Sequence, residues 1–552
     1  MLRQFRYIIA LGLIAIFSCS KSFDINVDPN NPSSLPVNNL LPQIEQNMGN
    51  ASAIYSGMSQ VLEVYVHRIT VREAPDGYNV TGSSGYVDPM WNYYYSSVLT
   101  NADIIINDAS SAGNFKYAGI AKIIKAYAVS QLVDVFGDVP YSEATKLLQN
   151  VRNPKFDVDS TIYPKLFTLI DDGIANLKNP TTNPLSPADD DVIYSGDITK
   201  WVKAANTLKL KLYTQIRLVK NVSAEVAALL ATPANLINAT SENFQLSYSA
   251  DSKNPGYNDY SAGQRTENMS PWFYEILKGY NRNIFYGIED PRIPYYFFNQ
   301  VAQGQADVND GNPTEYRDNS FVSTYFGSNG PDAGRSQQNT MTILGIYPVG
   351  GKYDDGVGAP VNTTSATGAA PYRFITYADR LYLEAELIKQ GVITGNARAK
   401  TLAAISESFK QVDAVVVKTG TTGVPLLTGS GAVADYTTKV MAEYDANTSK
   451  QLQIIMTQKW ISSFGSAIDA YTDYRRTGFP ILFDPNNPLM APGGYAIPPV
   501  NGNPLIDPQA PVPVSLNMAY PLSLPWPSAE LTSNSSAPVQ KQPATDKVFW
   551  QP

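Results

Sequence analysis

Apolar positions recur every three or four residues through most of the first 220 positions, the period of a helix that buries one face. In "DPMWNYYYSSVLTNADIIINDA" (88–109) the stripe is Trp91, Tyr94, Tyr95, Val98, Ala102 and Ile105. "KYAGIAKIIKAYAVSQLVDVFG" (116–137) is rich in alanine and stops at Gly137, and "STIYPKLFTLIDDGIANL" (160–177) follows a cap at Asp159 or Ser160. "DITKWVKAANTLKLKLYTQIRLV" (197–219) puts Trp201, Ala205, Leu208, Leu212 and Ile216 on one face behind a cap at Asp197. Upstream, 40–66 reads as a helix or a helix pair with Gly49 as its weak point. The helical pattern returns at 372–391, where Phe374, Ala378, Leu381, Ala385 and Ile388 form the stripe and Gly391 the terminal cap. It continues through 396–415, 433–444 and 449–466.

Between about 240 and 370 that periodicity is lost. One helix is predicted there, over 271–279, amid Tyr, Asn and Gly. Irregular stretches of this length are often functional. The predicted architecture is therefore mostly α: helix pairs form a scaffold over about 38–220 and 372–466, and long irregular loops over about 240–370 carry the ligand face. No charged or Ser/Gly-rich linker divides the chain, so 38–552 is expected to be one domain, with an irregular C-terminal segment at 480–552.

The first residues carry a different pattern. Arg3 and Arg6 precede an apolar run from Tyr7 to Phe17, which is short for a membrane span but suits a secretory signal. The run ends at "IFSC", and Cys19 is the only cysteine of the chain. Its position predicts a signal peptide over 1–18 and lipid attachment at Cys19, against an incidental thiol as the alternative. Residues 19–37, rich in Pro, Asn and Ser, then form an extended tether. No later stretch is apolar and long enough to cross a membrane, so the mature body is expected to be soluble.

Composition narrows the function. One cysteine and one histidine, His67, exclude a disulfide framework and a zinc site built on those residues. Lys plus Arg number 41 against 49 Asp plus Glu, which offers no general attraction to nucleic acid. Charged residues are only 16 %, below the usual ~25 %, and tyrosine reaches 35 copies. Tyrosine combines flat apolar area with a polar tip, which suits neutral polar ligands, although most of these rings belong to a large core. GxSxG, Walker A, GxGxxG and HExxH are all absent.

Several stretches together resemble one family, the SusD/RagB-like outer-membrane lipoproteins, and within it the second SusD-like subgroup. They are "FDINVDPNNPS" after Cys19, "AKIIKAYAVSQLVDVFGDVPYSEA" (121–144), "KFDVDSTIYPKLFTLIDDGIANL" (155–177), "GDITKWVKAANTLKLKLYTQI" (196–216), "DPRIPYYF" (290–297), "ITYADRLYLEAELIKQG" (375–391), "QKWISSFGSAIDAYTDYRRTGFP" (458–480) and "YPLSLPWPSAE" (520–530). The resemblance implies a scaffold of tetratricopeptide-like helix pairs and ligand capture by loops. It implies outer-membrane localisation through the N-terminal lipid, facing the extracellular side. It also implies a SusC-like TonB-dependent barrel as partner and an oligosaccharide or other nutrient as ligand, with no bond broken. An exported glycoside hydrolase, or a transporter lid for peptides, is the alternative.

Candidate ligand residues lie in two loops. Aromatics flanked by Gly, Asn or Arg, Tyr280 and Tyr286 above all, are expected at a surface, where a ring can stack on the C–H face of a sugar while Asn, Asp or Arg takes the hydroxyls. Trp272 and Arg282 belong to the same run. Tyr78, Asn79 and Tyr86 in "RITVREAPDGYNVTGSSGY" (68–86) are the second set. Structural readings are preferred elsewhere. Asp138 and Glu143 of "FGDVPYSEA" are expected at a helix start, and Arg475 and Arg476 are expected to pair with acids or cap carbonyls. "KYDDG" is read as a solvated turn, with Ca2+ at Asp354 and Asp355 as the weaker alternative and no other cofactor expected.

Overall fold

The computed structural model describes residues 35–55, 57–71, 74–181, 183–260, 265, 267–305, 315–324, 326–327, 337–483 and 519–552. The expected signal peptide, Cys19 and nearly all of the tether lie outside the described residues, as does most of 480–515.

The first helical stretch holds α1 (Val37–Ser52), α2 (Met58–Tyr65), α3, α4 (Phe115–Phe136), α5 (Asp159–Leu177) and α6 (Ile198–Ile216). Helix α3 runs continuously through Val87–Asn92, a π-helical stretch Tyr93–Leu99 and Thr100–Ser111. Region 40–66 is a helix pair, but it breaks at 53–57 rather than at Gly49. Gly49 sits inside α1 for a packing reason: a Cβ there would lie 2.3 Å from Leu246 Cδ2. Asp197 caps α6 as expected, its side chain accepting from Lys200 N. At α5 the expected side-chain cap is absent; Asp159 is the first helical residue, and its carboxylate accepts from Ser160 N and Phe549 N instead.

Helices α4 and α5 lie antiparallel and very close where two glycines meet. A Cβ on Gly119 would stand 2.8 Å from the Gly173 carbonyl oxygen, and one on Gly173 would stand 3.1 Å from the Gly119 oxygen. The short helix α7 (Ser223–Leu230) follows α6, and α8 (Pro271–Lys278) is isolated among loops. The second stretch comprises α9 (Tyr377–Lys389), α10 (Ala397–Thr419), α11 (Gly431–Ala446), α12 (Gln451–Ser462) and α13 (Ile468–Thr477). Thr376 and Asp379 form a reciprocal capping box at the start of α9. Apolar faces of both stretches merge into one core.

Short antiparallel strand pairs tie the irregular middle to this scaffold and to itself. Tyr372–Ile375 pairs with Phe244–Leu246, Ile69–Thr70 with Asn268–Met269, and Phe297–Phe298 with Ile343–Leu344. Buried ion pairs finish the work. Arg292 of "DPRIPYYF" clamps Asp290 with Nε and Nη2 and donates to Ser408 Oγ from Nη1. Arg476 binds the Glu386 carboxylate with both Nη atoms and also reaches Asp473. Arg475 donates to the Leu522 and Asp134 carbonyls, pinning the C-terminal segment. Among the described residues no helix is long and apolar enough to cross a membrane.

Candidate functional site

Helix α8 starts with Pro271 at its first position and ends at Gly279, whose φ of +73° continues the chain in the left-handed region. The loop that follows closes on itself. Gly287 N donates to Gly279 O over 2.8 Å, and Asp290 N donates to Leu277 O over 2.7 Å. Inside the loop, Asn281 Oδ1 accepts from Asn283 N and Ile284 N, the side-chain turn that asparagine favours. Asn281, Ile284, Phe285 and Ile288 all point inward and are buried. Two side chains of the second helical stretch hold the loop from outside: Glu443 Oε2 accepts from Phe285 N, and Lys450 Nζ donates to Asn283 O. Burial raises the Glu443 carboxyl above its ordinary range.

With those four residues turned inward, Tyr280, Arg282 and Tyr286 are left outside. Tyr280 is 41 % exposed and Tyr286 66 %. Among the described residues only one other large aromatic side chain, Tyr55, is comparably exposed, at 40 %. Two of three exposed rings therefore sit on one closed loop. The Tyr280 hydroxyl lies beside the Asp318 carboxylate, and partial burial together with that negative charge raises its pKa to about 12. A loop closed by its own hydrogen bonds and held by Glu443 and Lys450 has less conformational freedom to lose when a flat ligand settles on it.

The other expected residues fall differently. Trp272, two positions into α8, is 2 % exposed, and its indole N–H donates to Ile481 O; it is a core residue, not a platform. Tyr78 is also corrected to the core, at 7 % exposure. Its hydroxyl lies 2.6 Å from His67 Nε2, and its ring packs edge-on against Tyr65 and Tyr520. Burial lowers the His67 pKa to about 3, and His67 Nδ1 accepts from Phe483 N, so the neutral ring carries its proton on Nε2 and donates to Tyr78. Asn79 and Tyr86 are half-buried in a segment clamped to the C-terminal region, where Ser528 N donates to Gly82 O. The two candidate loops are thus anchored on different elements, and only 279–287 presents rings.

The remaining chemistry is structural. Asp138 accepts from Asp159 N and Glu143 from Lys155 N, so both carboxylates of "FGDVPYSEA" serve the backbone. Asp354 accepts from Asn299 Nδ2 and Gly356 N, and Asp355 from Val357 N, an arrangement of side-chain turns. Among the described residues no three His, Cys, Asp or Glu side chains gather as metal ligands do. Periodicity does not point to Asn281 or to the glycine pair at 279 and 287; their signal in the sequence is "GYNRNIFYG", an asparagine turn bracketed by glycines.

A family model described as SusD-like, starch-binding and associating with the outer membrane, matches residues 29–498. Solved structures share the fold. A SusD homologue from Bacteroides fragilis NCTC 9343 superposes with a TM-score of 0.65 at 19 % identity, covering 94 % of this chain and 99 % of that one. A chitin-binding SusD homologue from Flavobacterium johnsoniae gives 0.62 at 19 %, covering 93 % and 98 %. A structure named chitin-binding protein gives 0.60 at 20 %, covering 90 % and 94 %. No protein among the curated sequences matches the chain.

Proposed function

The chain belongs to the SusD-like family, and from this premise we propose that it is a lipid-anchored nutrient-binding subunit of the outer membrane. It captures an oligosaccharide and passes it to a SusC-like TonB-dependent barrel, without breaking a bond. The observation that carries the reading is the closed loop 279–287, which turns Tyr280 and Tyr286 outward with Arg282 between them in sequence. Each ring offers a face to the C–H surface of a sugar, and the guanidinium offers donors to its hydroxyls. Cys19 is the proposed point of lipid attachment. An open platform buries little ligand area, so affinity is modest.

The chitin-binding descriptions of two structural neighbours make N-acetylglucosamine oligomers the first glycans to try. Purified protein incubated with mixed polysaccharides should retain glycan and release no reducing ends beyond its own molar amount. Release above that amount would replace the binding reading with hydrolysis. Affinity capture from detergent-solubilised outer membrane should bring down a large barrel, and recovery of the chain alone would remove the transporter from the account.

A further inference from the structure

A cavity of about 20 Å3 lies where the two helical stretches meet. Its wall includes Gln131 of α4, Arg373 of the strand Tyr372–Ile375, Thr376 and Asp379 at the start of α9, Gln411 of α10 and Asp469 of α13. Three of these residues carry a buried polar atom without a protein partner: Gln131 Oε1, Arg373 Nε and Gln411 Nε2. The rest of each side chain is already committed. Gln131 Nε2 donates to Ser130 Oγ, Gln411 Oε1 accepts from Tyr347 OH, and Arg373 Nη2 donates to Phe464 O over 2.8 Å. None can turn to a new partner without giving up one it has. Three dry polar atoms would cost a large share of a fold's net stability.

We propose that this cavity holds one or two ordered waters. Its volume suits that number, and its wall supplies the two to four polar partners that a buried water needs. The chemistry is complementary: a water accepts from Arg373 Nε–H and Gln411 Nε2–H and donates to Gln131 Oε1. The Arg373 guanidinium and the inward N–H groups disfavour a metal cation. The Asp379 and Asp469 carboxylates disfavour an anion. The polar wall disfavours an apolar guest. Such a water joins α4 of the first stretch to the strand and α10 of the second, on a wall that also carries Asp469, the partner of Lys211.

The test is a crystal structure of the full chain at a resolution that shows ordered solvent, with a second crystal pressurised with xenon. The expected result is solvent density within hydrogen-bond reach of all three atoms and no xenon in the cavity. An empty cavity, xenon bound there, or a metal ion in its place would overturn the proposal. In solution, water relaxation dispersion should count one or two fewer long-lived waters in Gln411→Met than in the native protein, and an unchanged count in a folded variant would also overturn it. Should that variant not fold, the native crystal decides.

Discussion

Gly287 donates its amide to the Gly279 carbonyl over 2.8 Å and so closes the loop that turns Tyr280 and Tyr286 to solvent. Both glycines have positive φ, but their surroundings differ. A Cβ on Gly279 would meet Ile288 N at 2.5 Å, whereas a Cβ on Gly287 meets open space. Gly279→Ala should therefore displace the loop and weaken glycan binding about tenfold. Gly287→Ala should cost only the strain of a left-handed residue, about 1–2 kcal/mol, and keep the affinity. Calorimetric titration of both variants with one glycan checks the contrast.

Arg292 staples the chain just beyond that loop. Its guanidinium is wholly buried against Asp290, with Ser408 and the Phe409 ring around it. Arg292→Met leaves a buried carboxylate without its cation and should lower stability by about 3–5 kcal/mol in denaturant unfolding.

Glycine inside a helix normally costs about 1 kcal/mol relative to alanine. At the α4–α5 crossing the sign should reverse, because a Cβ on Gly119 would sit 2.8 Å from a backbone oxygen and 2.9 Å from Leu177 Cγ. Overpacking of this kind costs about 1–3 kcal/mol, so Gly119→Ala should lower the melting temperature.

Lys541 supplies a pH dependence. It is buried with its amine at the Phe136 carbonyl and 4.5 Å from the Trp526 ring centre. Burial lowers its pKa to about 7, with Asp138 and Asp546 opposing the shift. Between pH 7 and its unfolded value the unfolded chain binds a proton that the folded chain does not, so this residue makes stability rise with pH. The contribution is full above the unfolded value and is lost as pH falls from there to about 7. The slope is about 1 kcal/mol per pH unit. Chemical denaturation of the native protein and Lys541→Met at pH 7 and pH 9 should show a smaller rise in the variant.

Much of this architecture could be read from periodicity, and the exceptions have physical causes. The α6 stripe Trp201, Ala205, Leu208, Leu212 and Ile216 is buried as its spacing predicts. Helix α13 lacks a legible stripe in "IDAYTDYRRT", because its buried Asp473 and Arg476 depend on ion pairs with distant Lys459 and Glu386, which no local pattern reveals. The π-helical turn of α3 was equally hidden, since the same apolar stripe fits either winding. At the candidate site, small and polar neighbours marked Tyr280 and Tyr286 correctly as surface rings. The same cue failed for Tyr78, whose glycine and asparagine neighbours accompany a positive φ that tucks the ring against His67.

The proposed ligand platform is the loop 279–287. It is tested most directly by isothermal titration of the native protein and of Tyr280→Ala/Tyr286→Ala with the best glycan from a panel that begins with N-acetylglucosamine oligomers, with melting curves recorded alongside. Each lost ring should cost about 1–2 kcal/mol of binding, a factor of about 5–30, while the melting temperature stays nearly constant because both rings are outside the core. Unchanged affinity in a folded double variant would contradict the account.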